Sequence, residues 1–121
     1  MQLLTKEIKK ALRLFPLYST EETYTSEKVF ICKFFNPCGA GTWYVSEGSP
    51  EQPHLPLSQR SGDWKFFGLV DLGMGQEWGY FNLSELEELT LPLGLGIERD
   101  IHFKNEPAIK YLKDFEFGEQ A

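Results

Sequence analysis

Two aromatic-rich runs, WKFFGLVD (64–71) and EWGYFNL (77–83), stand on either side of the short connector LGMGQ (72–76). Runs of this length and type, separated by glycines, constrain the chain to a β-hairpin more than any other stretch does. A dinucleotide loop needs G-x-G-x-x-G between a strand and a helix, so that the helix N-terminus meets the pyrophosphate. Here Gly73, Gly75 and Gly79 are spaced G-x-G-x-x-x-G and a strand follows. There is no Gly-Lys-Ser/Thr, and Asp71 and Glu77 would bring negative charge towards a phosphate. The connector therefore reads as a turn, with Gly73 and Gly75 as carriers of positive φ.

The same alternation places a second hairpin upstream. KVFICKFF (28–35) and TWYVSE (42–47) are rich in β-branched and aromatic residues and flank the turn signal NPCGAG. Thr5 is a candidate N-cap for a first helix, with Leu4, Ile8, Leu12 and Phe15 at helical spacing until Pro16. Ser84 with Glu87 predicts a capping box and a short helix after the fourth strand. In IERDIHFK (97–104) the pattern predicts a fifth strand, with Ile97, Arg99, Ile101 and Phe103 on one face and Glu98, Asp100, His102 and Lys104 on the other. Asn105 predicts a last helix striped by Ala108, Ile109, Leu112 and Phe115. Residues 48–62, with three of the seven prolines, read as a long mobile loop. The expected fold is a single α+β domain over 1–121: a mainly antiparallel sheet of about five strands in two hairpins, with helices at the N-terminus, after strand four and at the C-terminus.

At 121 residues with 41% apolar content and 18 aromatics, the chain can bury a core without staples. Cys32 and Cys38 fit no metal or redox spacing, and whether they pair is open at this level. Two cysteines in a core-sufficient chain, lysines where a signal peptide would be apolar, and no run of membrane-spanning length all point to the cytosol. Net charge is −6, yet residues 1–20 carry Lys6, Lys9, Lys10 and Arg13 against Glu7. That local +3 leaves −9 for residues 21–121. Acidity of this size works against nucleic-acid and membrane contacts and suits a basic partner.

Catalytic readings find little to stand on. Glu98, Asp100 and His102 on one strand, with His54 carried near by the loop, would suit a divalent metal that activates water. However, positions i, i+2 and i+4 span about 13 Å at roughly 3.3 Å per residue, too far for one ion on a straight strand. Neither histidine is spaced to serve a nucleophile. The segment KFFGLVDL (65–72) partly matches an RNA-recognition consensus through Lys65, Phe67, Gly68 and Val70, but it carries Phe66, Leu69 and Leu72 at positions where glycine and stacking aromatics are expected.

The pieces LLTKEI, PLY (16–18), KFFNP (33–37), TWYVSEGSPE (42–51), FFGLV (66–70), EWGYFNLSELEEL (77–89) and PLGLGIERDIHF (92–103) together resemble the small bacterial proteins catalogued as domain of unknown function 2958. The chain departs from that pattern at Gly41, where an aromatic is usual, and at Gly96, where proline is usual. The resemblance implies an accessory protein of a mobile genetic element (plasmid, integrative conjugative element or phage) concerned with anti-restriction, host defence or element maintenance. It implies no catalytic residues and no cofactor. The expected role is a non-enzymatic module that binds a protein, such as a DNA-processing or host-defence protein. Trp43, Tyr44, Glu47, Glu77, Tyr80, Arg99 and Asp100 are the expected partner-binding residues, since they combine rings with charges. Two alternatives are a carboxylate- or metal-dependent hydrolase of nucleotides or nucleic acid, and a single-stranded nucleic-acid binder. The first predicts a concave pocket in which several of Glu47, Glu77, Glu98, Asp100 and His102 converge within a few ångströms; the second predicts Lys65 and Phe67 exposed beside other cations on the sheet.

Overall fold

The computed structural model describes residues 1–113. Helix α1 (Lys6–Leu12) is capped by Thr5, whose hydroxyl accepts from the Ile8 N–H at 3.2 Å. Two tighter bonds, Leu14 N–H to Ala11 and Phe15 N–H to Leu12, close its end before Pro16. The strands are β1 (Val29–Phe30), β2 (Cys32–Phe35), β3 (Thr42–Pro50), β4 (Trp64–Asp71), β5 (Gln76–Asn82), β6 (Glu98–Arg99) and β7 (Glu106–Pro107). Five form one antiparallel sheet in the order β5-β4-β3-β2-β6, while β1 and β7 pair separately. The fold is α+β, as expected, and both hairpins are present.

The β4–β5 hairpin pairs Asp71 with Gln76 across a four-residue loop whose Gly73 and Gly75 have φ of 90° and 118°. The Asp71 carboxylate accepts from the Gly73 N–H at 2.9 Å and fixes the turn from within.

Several boundaries differ from the sequence expectation, each for a visible reason. The run 28–35 is not one strand, because the chain changes sheets at Ile31, whose N–H donates to the Val45 carbonyl at 2.7 Å. Strand β3 continues through Gly48–Pro50, so the first residues of the expected long loop belong to the sheet. The second helix, α2 (Leu83–Glu87), has Asn82 as its N-cap rather than Ser84. It is the Glu85 carboxylate, not that of Glu87, that accepts the Asn82 N–H at 3.1 Å. The expected strand over 97–104 ends at Arg99: Asp100 accepts the His102 N–H at 2.9 Å and turns the chain, leaving Ile101 61% exposed. Instead of the start of a helix, residues 105–113 hold strand β7 and a single 3₁₀ turn, Ala108–Lys110. Phe115 of the expected stripe lies outside the described residues.

The sheet buries both faces unequally. Its first face, under α1, collects Cys32, Phe34, Trp43, Val45, Phe66 and Phe81 with Leu3, Leu4, Leu12, Leu83 and Leu86 into the main core. The second face carries aromatics along its length: Tyr44, Phe67, Trp78 and Tyr80. Part of it is closed by Phe30, Ala108, Tyr111 and Leu112. Burial holds the Cys32 thiol protonated, its pKa pushed up to about 12 despite the nearby Arg99, and both cysteines are free.

Candidate functional site

An irregularity in β3 builds the site. Val45 pairs with Gly68 and Glu47 with Phe67, so Ser46 is an extra residue opposite none, its hydroxyl donating to the Phe67 carbonyl at 3.0 Å. A bulge of this kind reverses the parity of the strand beyond it. Tyr44 and Glu47 therefore point to the same face, the aromatic one, where strict alternation would have opposed them.

Glu47 is thus a carboxylate set 2% exposed among rings. It accepts the backbone N–H of Tyr18 at 2.8 Å and of Thr20 at 2.9 Å, and also the Thr20 hydroxyl. Lys28, also buried, lies 3.9 Å from the carboxylate and donates to the Thr20 carbonyl at 2.6 Å and the Thr20 hydroxyl at 2.8 Å. Burial pulls the Lys28 pKa down, while Glu47 and Glu21 oppose that pull. Hydrogen bonds to a charged group contribute roughly 1.5–3 kcal/mol each. Together they hold Tyr18 at φ 72°, in the left-handed region where a tyrosine costs about 1–3 kcal/mol.

The loop so fixed delivers a ring to the surface. Tyr18 is 53% exposed and meets Tyr80, 49% exposed, at 6.1 Å between centroids. Tyr80 in turn contacts Phe67 at 5.0 Å, and Lys65 Nζ stands 5.0 Å from its ring. Beneath lies a cleft of about 350 Å³ lined by Glu21, Thr23, Lys28, Glu47, Phe67 and Tyr80. Burial raises the Tyr80 hydroxyl pKa, with Tyr18, Glu47 and Glu21 adding to the effect.

The other end of the aromatic face is closed. Tyr44 stacks on Phe30 at 5.0 Å and contacts Tyr111 at 4.7 Å and Phe103 at 6.2 Å. Gln76 binds the backbone of Tyr111 and Lys113 at 2.7 and 3.0 Å, and Lys113 pairs with Asp71 at 3.0 Å.

Of the seven residues expected to bind a partner, Glu47 and Tyr80 share the cleft, and Arg99 and Asp100 border other recesses. Trp43 is a core residue, 8% exposed, so its ring is not offered to a partner. Tyr44 is covered. Glu77 is exposed on β5 but, one residue out of phase with Tyr80 and Trp78, belongs to the opposite face. Arg99 donates to the carbonyls of Gln2 and Leu3, tying down the N-terminus, and Asp100 pairs with Lys33 at 3.9 Å. Sequence reasoning missed Tyr18, Thr20, Glu21 and Lys28, and no local signal marks a tyrosine for positive φ.

Of the groups named for hydrolysis, Glu98, Asp100 and His102 border one recess of about 320 Å³ with Lys33 and Arg99, whereas Glu47 lines the cleft under Tyr80 and Glu77 lines neither. Among the described residues no group of three or more His, Cys, Asp or Glu is placed to hold a metal ion, and no helix is long and apolar enough to cross a membrane. Lys65 and Phe67 are half-buried, and Lys28, whose Nζ lies 5.5 Å from the Phe67 ring, is committed to Glu47 and Thr20.

Over residues 3–116 the chain matches the family described as protein of unknown function (DUF2958), and it belongs to that family. No curated protein and no solved structure matches it.

Proposed function

We propose that this member of the family is a non-enzymatic docking module that engages a basic face of a partner protein through Tyr18, Tyr80 and the acidic residues beside them. The observation that carries this reading is the rigid presentation of two exposed tyrosines. Buried charge holds Tyr18 in a conformation that a tyrosine alone would avoid, and its ring is left half in solvent against Tyr80. Strain maintained by a buried network at a surface position is characteristic of recognition sites. Tyrosine supplies large contact area at small entropic cost, which suits an anchor. Glu21, exposed and acting on both Lys28 and Tyr80, lines the cleft, and residues 21–121 are strongly acidic, which favours a cationic partner. A DNA-processing or host-defence protein of a mobile element is the partner this reading favours.

The test is affinity purification from cells that express the protein in its native setting. Tyr18→Asn removes the ring with a residue that tolerates positive φ, and Tyr80→Thr removes its neighbour with a good strand former. The wild type should recover a partner with a basic surface, and each variant should recover at least about tenfold less, a loss of 1.4 kcal/mol or more. Equal recovery by both variants would reject the site.

A further inference from the structure

The edges of the five-stranded sheet are unequal. One is β6, two residues long; the other is β5, seven residues with neither lysine nor proline. Sheet edges are ordinarily kept short or guarded by such residues, because unpaired backbone groups template another strand. The direction of the β5 groups follows from two independent bonds. Glu51 N–H donates to the Asp63 carbonyl at 2.9 Å, so odd-numbered residues along β4 face β3 and even-numbered ones face β5. By the register, Phe81, Gly79 and Glu77 then bond to β4, and Trp78, Tyr80 and Asn82 turn their N–H and C=O outward. Asn82 agrees: its N–H goes to the Glu85 side chain instead of β4. Among the described residues no backbone group pairs with the outward side of Trp78 or Tyr80.

We infer that the β5 edge is a strand-addition site for an extended, basic segment of a protein partner. The inference rests on the docking role proposed above and assigns its mode of binding: main-chain bonds to Trp78 and Tyr80 supply affinity, and alternate side chains are read on either side. On the aromatic face, a residue opposite Tyr80 would have its Cβ about 5 Å from that of Tyr80, within reach of Tyr18 and Glu21. On the other face the added segment would meet the exposed Glu77, and beyond Asn82 the chain runs into the exposed Glu85 and Glu87 of α2 and its C-cap Glu88. Gly79 lies between, and a Cβ there would meet no atom within 4 Å, so the sheet face beside Glu77 is open at that position. These charges select a cationic strand and oppose a second copy of the same acidic chain.

Backbone amide exchange on the full chain tests this. The probe is a ten-residue peptide alternating lysine and valine, compared with one alternating glutamate and valine. Free protein should exchange Trp78 and Tyr80 amides rapidly while Gly79 and Phe81 are protected. The lysine peptide should slow Trp78 and Tyr80 by about tenfold or more, and the glutamate peptide should leave them unchanged. Unchanged exchange with the lysine peptide overturns strand addition, and equal protection by both peptides overturns the basic occupant. Protection in free protein overturns it too: a second copy occupies the edge if protection grows with concentration, the chain's own remainder if it does not. Failure here is separable from failure of the docking role. A partner lost by Tyr18→Asn that binds without protecting Trp78 or Tyr80 refutes only the strand mode, whereas a partner indifferent to Tyr18→Asn refutes the docking site.

Discussion

At Gly68 two backbones approach so closely that a Cβ would stand 1.7 Å from the Tyr44 carbonyl oxygen. No rotamer relieves a clash with main chain, so Gly68→Ala should destabilise by about 3 kcal/mol. Gly79, its cross-strand partner, faces open space, and Gly79→Ala should change stability by no more than about 0.5 kcal/mol. Urea unfolding of the two variants checks the contrast, and equal effects would contradict it. The buried pair gives a second residue-scale expectation. Glu47→Gln leaves Lys28 as a buried cation without its anion and should cost about 3 kcal/mol. Replacing both, as Glu47→Gln with Lys28→Met, should cost less than the single change, because the uncompensated charge is gone. A double variant weaker than the single one would show that the bonds to Tyr18 and Thr20 outweigh the charge itself.

Elements here are joined by carboxylates, and these set the response to acid. Asp63 precedes β4 but serves α2, accepting the Ser84 N–H at 2.9 Å and its hydroxyl at 2.8 Å. Burial pushes its pKa up, yet the bonds from Ser84, Trp64 and Asn82 outweigh that and leave it below the usual carboxylate value. Folding thus favours the ionised form, and the stabilisation is complete above the unfolded value near ~3.9 and lost as pH falls through the folded one. Asp71, through the Gly73 N–H and then Lys113, and Glu106, through Lys110 and then Tyr111, are lowered likewise and add in the same direction. Asp63→Asn should be less stable than wild type at pH 7 and approach it at pH 3; parallel urea midpoints across that range would contradict this. The loop before Asp63 is tied by Arg60, which donates to the carbonyls of Leu55 and Pro53 at 2.9 Å each, and by the Ser61 N–H, which donates to the Gln52 side chain at 3.0 Å. Arg60→Ala should therefore speed proteolysis within 52–62 severalfold without moving the urea midpoint. Element positions were legible wherever a local pattern stated them: the aromatic alternation of 64–83, the glycines of its turn, the Thr5 cap. Much of what stayed hidden depends on contacts distant in sequence. Ser46 looks like any strand residue, so the bulge that turns Glu47 onto the aromatic face has no local mark. Asp100 ends a strand that hydropathy would continue, because its short carboxylate captures the His102 amide. Tyr80 was legible as an aromatic among charges, while its partner Tyr18 depends on a glutamate 29 residues away.

For the molecule as a whole, charge and its placement decide between protein and nucleic acid as a partner. The cations of residues 1–20 form the one basic stretch, and α1 does not present them alone. Lys9, Arg13 and Arg60 border a recess with Glu51 and Asp63, while Lys6, Arg99 and Lys104 share another with Glu7 and Asp100, so acids stand among the cations in both. Phosphate binding gains from counterion release only where lysines and arginines cluster free of acids. The sheet offers Lys65 over Tyr80, a cation beside a ring that could serve a single strand, but Glu21 lines the cleft under that ring. A base stacked on Tyr80 would bring its phosphate towards this carboxylate and into the field of a chain with net charge −6. Titrating the protein with single- and double-stranded DNA at 50 and 200 mM salt should therefore give no saturable binding below about 100 µM, weaker than the usual non-specific range. Micromolar affinity falling steeply with salt would overturn the protein-docking reading and move attention to Lys65, Tyr80 and α1. Weak binding indifferent to salt would mean contact through rings rather than phosphates, and Tyr80→Thr would then abolish it while leaving the urea midpoint in place.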